Sequence, residues 1–252
     1  MLSQKNVLVL GSKAESKLPD VSVDMIYSAN GAAERAMHYK KYYPRANHTA
    51  IVAANSFMKN EMVKLRVIKS KPNKLIVRSG AIEVPKELID CETIYLSKRE
   101  QFNFQSKFYK SGALDIILGE LKYEENYFEA LRHLYRCISY RGFLGASTGF
   151  FCILFAAMEN PNSNILSSGI SLVEGGHYYT SKDNYGFITK NNLDNINKKK
   201  NVLKDKFRNT SRSRVERYLI NRVKNVYKNM IVSLDNSFVD NSGVKMWKGK
   251  VF

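Results

Sequence analysis

The residues best suited to chemistry lie in the run Gly175-Gly176-His177-Tyr178-Tyr179. An imidazole can accept a proton near neutral pH, and tyrosine hydroxyls can hold a departing phosphate. The run follows Ser168-Gly169-Ile170-Ser171, where we expect a strand to end. A packed turn is the alternative, although two glycines and polar neighbours are poor core material. We therefore predict that His177, Tyr178 and Tyr179 are catalytic.

Small or amide side chains follow three other predicted strands. They are found in Gly11-Ser12-Lys13, Asn30-Gly31 and Asn55-Ser56. A glycine-bearing turn can direct backbone amides toward a phosphate, and asparagine offers a donor and an acceptor to a base or ribose. Each group is also ordinary turn chemistry. Taken together, Gly11, Ser12, Asn30 and Asn55 predict a nucleotide site.

A further polar group, Ser147-Thr148-Gly149, precedes a strongly apolar stretch that we predict to be a buried helix. Free amides and hydroxyls at a helix start suit a carboxylate or phosphate, although a simple cap explains the same residues. We assign Ser147, Thr148 and Gly149, with Gly169, to the same nucleotide or donor site. Arg208 and Arg212 are candidates for binding a phosphate or an acceptor, and a solvated basic face is the alternative.

Several common sites have no counterpart in the sequence. Ser28-Ala29-Asn30 supplies no acidic residue for a dinucleotide or adenosylmethionine ribose, and there is no P-loop. Without an Asp-x-Asp pair to hold a divalent ion, we expect metal-free nucleotide chemistry with no cofactor. The three cysteines are widely spaced, which favours neither disulfides nor a zinc site.

Apolar runs typical of strands alternate with stretches of helical spacing. We predict strands at 7–10, 24–28, 48–54, 74–77, 93–96, 164–170 and 231–235. We predict helices at 31–43, 55–68, 148–159 and 212–230, and a largely helical region over 97–142. This order predicts an α/β fold in which a parallel sheet carries helices on both faces, formed by one domain over 1–252. Such sheets bind ligands at the carboxyl ends of their strands.

The chain is strongly basic, with a formal charge of +17. Residues 190–228 contain 13 basic and three acidic residues, a net +10 of that total. This charge implies an anionic partner, and we expect a lid at about 180–211. Because no signal peptide or membrane-spanning stretch is found, we expect a cytoplasmic protein; the basic segment leaves contact with the inner membrane face open.

In their order along the chain, these residues resemble the bacterial sialyltransferases of the lipooligosaccharide type and related enzymes that use cytidine-monophosphate (CMP) donors of Kdo and other acidic sugars. Gly11-Ser12-Lys13 holds the place of the family's first glycine turn, and Asn30 and Asn55 match its next two strand ends. Ser147-Thr148-Gly149 is similar to its Thr-Ser-Gly element. Ser168-Gly169-Ile170 through Tyr179 is similar to its Ser-Gly-Ile strand end and tyrosine-bearing loop.

The resemblance implies a modified Rossmann fold, a flexible lid and a metal-independent, inverting transferase. Such an enzyme moves sialic acid, Kdo or a related nonulosonate from CMP to a hydroxyl of a lipopolysaccharide or capsule glycan. Gly11, Ser12, Asn30 and Asn55 would contact the nucleotide or donor. Thr148 and Gly149 would meet the nucleotide or sugar carboxylate, and Tyr178 and Tyr179 would support the leaving phosphate.

The sequence departs from the family at the proposed base, a histidine after the lid. No histidine follows position 177, so either His177 is the base or that place holds a non-basic residue. The chief rival interpretation is a nucleic-acid-binding or nucleic-acid-modifying protein, which the charge favours. A third interpretation, a membrane-surface patch, supplements the transferase.

Overall fold

The computed structural model describes residues 5–13, 16–109, 146–170 and 230–252, together with positions 128, 131 and 135. The strands are β1 Asn6–Leu10, β2 Met25–Ala29, β3 Asn47–Ala53, β4 Lys74–Arg78, β5 Glu92–Leu96, β6 Asn164–Ser168, β7 Ile231–Ser233 and β8 Lys245–Met246. The helices are α1 Ala33–Lys40, α2 Ala54–Lys59, α3 Glu61–Ser70, α4 Lys98–Tyr109, α5 Thr148–Glu159 and α6 Asn236–Ser242. Short 3₁₀ turns lie at Asn30–Ala32 and Lys86–Leu88.

The eight strands form one parallel sheet in the order β5-β4-β3-β2-β1-β6-β7-β8. The chain builds outward from β1 to β5, and then continues on the other side of β1 with β6. The strand order therefore reverses between β1 and β6. In open parallel sheets the ligand crevice lies at such a reversal, outside the carboxyl ends of the strands.

Helices cover both faces of this sheet. Val7 and Val9 of β1 belong to a hydrophobic cluster with α5, whereas Leu8 and Leu10 point to the other face and pack with α1. Alternate residues of a strand point to opposite faces, so a strand covered on both sides is apolar throughout. The α/β class and the helices on both faces are thus as predicted.

All seven predicted strands are present, and the predicted helix 148–159 matches α5. The prediction for 55–68 was wrong in one respect, because two helices, α2 and α3, meet at Asn60. Asn60 has an extended backbone, and its Oδ1 accepts from the amides of Met62 and Val63, which caps α3. The helix predicted from residue 31 begins at Ala33, after a 3₁₀ turn.

Part of the predicted site lies outside the described residues. This applies to His177, Tyr178, Tyr179, Arg208, Arg212, the predicted lid at 180–211 and the helix predicted at 212–230. Among the helices that the structure describes, none has the length and apolar character needed to cross a bilayer.

Candidate functional site

The parallel register brings the predicted nucleotide residues to one edge of the sheet. Leu10, the last residue of β1, pairs with Ser28 of β2 and Ser168 of β6. Gly11, Asn30 and Gly169, which follow these strands directly, therefore share the carboxyl edge. Asn55 follows the adjacent strand β3, in the first turn of α2, where it is exposed.

Helix α5 begins at the same edge, because it runs antiparallel to the strand that follows it. Two contacts place its start there. Arg78, the last residue of β4, donates from Nη2 to the carbonyl of Ala146 at 3.0 Å. A Cβ added to Gly149 would lie 3.5 Å from Cγ1 of Ile170, just beyond β6. Ser147, Thr148 and Gly149 thus lie near the strand reversal.

The ends of β1 and β6 are joined closely through glycine. The Gly11 amide donates to the Ser168 carbonyl at 2.8 Å, and the Lys13 amide donates to the Gly169 carbonyl at 2.9 Å. A Cβ on Gly11 would lie 2.1 Å from the Gly169 oxygen, and Gly169 has φ of 78°. Two amides of the turn that we expected to face a phosphate are therefore engaged within the protein.

Arg35 of α1 ties this junction together from one face of the sheet. Its Nη1 donates to the carbonyls of Gly11 at 3.0 Å and Ser168 at 3.3 Å. Its Nη2 donates to the Ser16 carbonyl and the Ser168 hydroxyl, both at 2.8 Å. Sequence reasoning missed Arg35, since one arginine on a helix carries no pattern that marks it.

Asp235, which follows β7, binds the junction from the neighbouring strand. One carboxylate oxygen accepts from the Gly169 amide at 2.6 Å, and the other lies 3.8 Å from Nζ of Lys13. The side chain is buried, and Ser16 Oγ donates to it at 3.4 Å. The sequence predicted Asp235 as the end of a strand and gave it no role in the site.

Asn30 joins the ends of β2 and β3. Its backbone lies in the left-handed region at φ 49°, which asparagine tolerates better than most residues. Its Oδ1 accepts from the Ala53 amide at 3.0 Å. The side-chain nitrogen has no partner in the part of the chain that the structure describes, so it can still donate to a ligand.

The start of α5 retains free hydrogen-bond donors. Ser147 caps the helix as predicted, and its Oγ accepts from the Phe150 amide at 3.3 Å. The amides of Thr148 and Gly149, both half-buried, have no partner among the described residues. A 12-residue helix carries a partial positive charge at this end, which attracts anions.

A buried arginine increases the positive potential beside the start of α5. Arg78 is 6% exposed, and its guanidinium lies 4.1 Å from the ring centre of Phe151. Its Nε donates to Gln101 of α4 at 3.0 Å, and Gln101 in turn donates to Ser79 Oγ at 2.9 Å. One turn further, on the same face of α4, Gln105 is buried with no partner for its amide group in the described residues.

Comparison with known proteins finds no matching family model, no similar curated protein and no similar solved structure. Within the described residues, no group of three or more His, Cys, Asp or Glu side chains is arranged to hold a metal ion. The choice of function therefore depends on the residues and geometry at the carboxyl edge.

Proposed function

We propose that the chain is a Rossmann-like, metal-independent, inverting glycosyltransferase. It moves sialic acid, Kdo or a related acidic sugar from a CMP donor to a hydroxyl of a bacterial surface glycan. The observation that carries the proposal is the start of α5, whose Thr148 and Gly149 amides have no partner among the described residues and lie beside buried Arg78, at the strand reversal of a parallel sheet. Ligands of open α/β sheets bind at this position.

The donor's phosphate or carboxylate binds at the start of α5 in this proposal. The Thr148 and Gly149 amides donate to it, the Thr148 hydroxyl adds a third donor, and the helix dipole favours its charge. Arg78, which is itself buried, lies next to the first turn and adds a positive charge there. A CMP donor carries a single phosphate, so these groups can bind its charge without the cation that a diphosphate donor usually requires.

The nucleoside lies along the ends of β1 to β3. The Asn30 side-chain nitrogen and the exposed amide of Asn55 donate to the base or ribose. The Gly11 and Gly169 amides are engaged within the protein, so these glycines do not donate to the nucleotide. Their role is to allow the ends of β1 and β6 to approach each other closely. Ser12, next to Gly11, also contacts the nucleotide.

Transfer requires a base for the acceptor hydroxyl and support for the leaving phosphate. The acceptor oxygen bonds to the anomeric carbon as the bond from that carbon to the phosphate oxygen breaks, and CMP leaves with the electron pair. His177 takes the hydroxyl proton, while Tyr178 and Tyr179 donate to the phosphate. Arg208 and Arg212 bind the phosphate or the acceptor. The acceptor is a lipid-linked glycan at the cytoplasmic membrane face, which the basic segment contacts.

A ligand panel tests the proposal directly. With EDTA present, CMP should raise the melting temperature, whereas uridine diphosphate, adenosylmethionine and duplex DNA should not. The protein should then release CMP from an activated acidic sugar. Replacing His177 by alanine should lower turnover by about 10²-fold with CMP binding retained. If CMP fails to raise the melting temperature at millimolar concentration, the proposal is wrong.

The +17 charge keeps nucleic-acid binding as a second candidate function. Under this alternative, affinity for duplex DNA falls steeply with salt as counterions are released, and CMP has no effect on stability. The two outcomes are opposite in the same panel, so a single set of measurements separates the candidates.

A further inference from the structure

A groove of about 330 Å³ runs beside α1, on the face of the sheet opposite α5. One wall is α1 and the two residues that follow it, and the other is the segment after β1 together with Phe252. The lining residues that matter are Ser16, Arg35, His38, Lys41, Tyr42 and Phe252.

The wall opposite α1 is held in place by backbone pairing. Leu18 donates to the Phe252 carbonyl at 3.0 Å, and Phe252 donates back to the Leu18 carbonyl at 2.9 Å. Pro19 and Val251 form an antiparallel bridge next to this pair. Because both walls are hydrogen-bonded to the rest of the fold, the groove is formed before any ligand arrives.

The α1 wall carries basic side chains. Arg35, His38 and Lys41 follow one another along one side of α1, and in the described residues neither His38 nor Lys41 forms an ion pair. The carboxylate of Asp235 contacts Ser16 but is itself paired with Lys13. The groove therefore attracts an anionic group, which the exposed side chains can bind by charge-assisted hydrogen bonds.

One end of the groove, formed by Tyr42 and Phe252, is aromatic and exposed. Tyr42 is 65% and Phe252 is 40% exposed, and their rings lie 4.5 Å apart at 47°. Large exposed rings next to charges are typical of recognition surfaces. An aromatic face can pack against the C–H face of a sugar ring while the cations bind its carboxylate.

The end of the groove nearest Arg35 reaches the carboxyl edge of the sheet. Arg35 lines the groove and also donates to the Gly11 and Ser168 carbonyls at the strand reversal. A chain of sugars bound along α1 would thus extend toward the proposed donor site. A ligand for this groove needs an anionic group for the basic side chains and a flat apolar face for the aromatic rings. An oligosaccharide that contains acidic sugars has both features along its length.

We propose that this groove is an acceptor subsite that binds a carboxylated sugar of the glycan, an inference that rests on the proposed transferase function. The carboxylate contacts His38 and Lys41, and a neighbouring pyranose ring packs on Tyr42 and Phe252. The groove thereby selects acidic acceptors over neutral ones.

The test measures the affinity for a tetramer of α2,8-linked sialic acid by titration calorimetry, without donor, in 0.15 M salt. Lys41→Glu and Tyr42→Ala should each weaken binding about tenfold or more, since each removes one of the two recognition elements. Both side chains are exposed, so the melting temperatures should stay near that of the wild type. A neutral maltotetraose should not bind.

Lys107→Glu is the matched control. Lys107 is exposed near the end of α4, which packs on the opposite face of the sheet, and the substitution changes the net charge by the same amount. Equal losses for Lys41→Glu and Lys107→Glu would show a general charge effect and overturn the subsite. CMP affinity that depends on Tyr42 would overturn it as well, by assigning the groove to a nucleotide. If CMP has no effect on the protein but the selective loss of glycan affinity is found, the transferase fails and the acidic-glycan groove stands.

Discussion

At the scale of single residues, Gly11 and Gly169 allow the ends of β1 and β6 to lie in contact, because neither glycine has a side chain. A Cβ on either would lie within 2.5 Å of the other's carbonyl oxygen, at 2.1 Å and 2.4 Å. Gly149 differs, because its Cβ would meet only the Ile170 side chain at 3.5 Å, an ordinary contact. The three glycines that the sequence assigned to one binding role therefore have two different structural roles.

Gly11→Ala should destabilise the protein by at least about 2 kcal/mol, because a methyl group against fixed backbone forces the strand ends apart. Gly149→Ala should be neutral or stabilising by up to about 1 kcal/mol, since alanine favours a helix. Urea unfolding measures both changes. Equal destabilisation by the two substitutions would contradict the close approach at Gly11.

At the scale of elements, the first turn of α5 combines a structural and a proposed binding role. Ser147 accepts from the Phe150 amide, and within the described residues the two preceding amides have no partner, so the proposed ligand binds to them. These roles can be separated, because serine and aspartate are equally good helix caps but differ in charge.

Ser147→Ala should cost about 1 kcal/mol of unfolding free energy, the usual loss for a helix cap. Ser147→Asp should retain wild-type stability, since it caps the helix and its charge suits the helix dipole. The same carboxylate should weaken CMP binding at least about tenfold by repelling the phosphate. Calorimetric titration with CMP checks this, and wild-type affinity in Ser147→Asp would place the nucleotide elsewhere.

The elements themselves were largely predictable because their patterns are local. Buried parallel strands are continuous apolar runs, and α5 has a serine cap before a strongly apolar stretch. The misses have local causes too. Asn60 ends one helix and caps the next without any glycine or proline to mark the break. The elements α6 and β8 are only seven and two residues long, too short for a periodic pattern.

At the scale of the whole molecule, the strand order decides which side chains meet. The sequence predicts a parallel sheet but not that β6, more than 150 residues after β1, lies beside it. Arg35 and Asp235 gain their roles only through that pairing, because both bind the β1 and β6 junction from other elements. For this reason the edge of the sheet could be predicted as the site, whereas the hydrogen bonds of Arg35 and Asp235 within it could not.

The stability of the molecule in acid should depend on one buried residue. His48 of β3 is fully buried, and its Nε2 lies 2.8 Å from Ser28 Oγ. Burial, aided by the positive charge of Lys40, lowers the pKa of His48 to about 3. An unfolded chain binds a proton at an ordinary histidine near pH 6.5. Between these values only the unfolded state is protonated, so the unfolding free energy must fall as the pH falls.

His48→Gln should flatten this dependence, because glutamine has a similar volume and an amide that can bond to Ser28 but does not titrate. Between about pH 6 and pH 4, wild-type stability should fall more steeply than that of the variant, by about 1.4 kcal/mol per pH unit. Repulsion within a chain of charge +17 also destabilises it in acid, but salt screens that repulsion. Urea unfolding at several pH values, with and without 0.5 M salt, separates the two effects. The excess slope should persist at high salt, and equal slopes for the two proteins would show that His48 is not the group that titrates on unfolding.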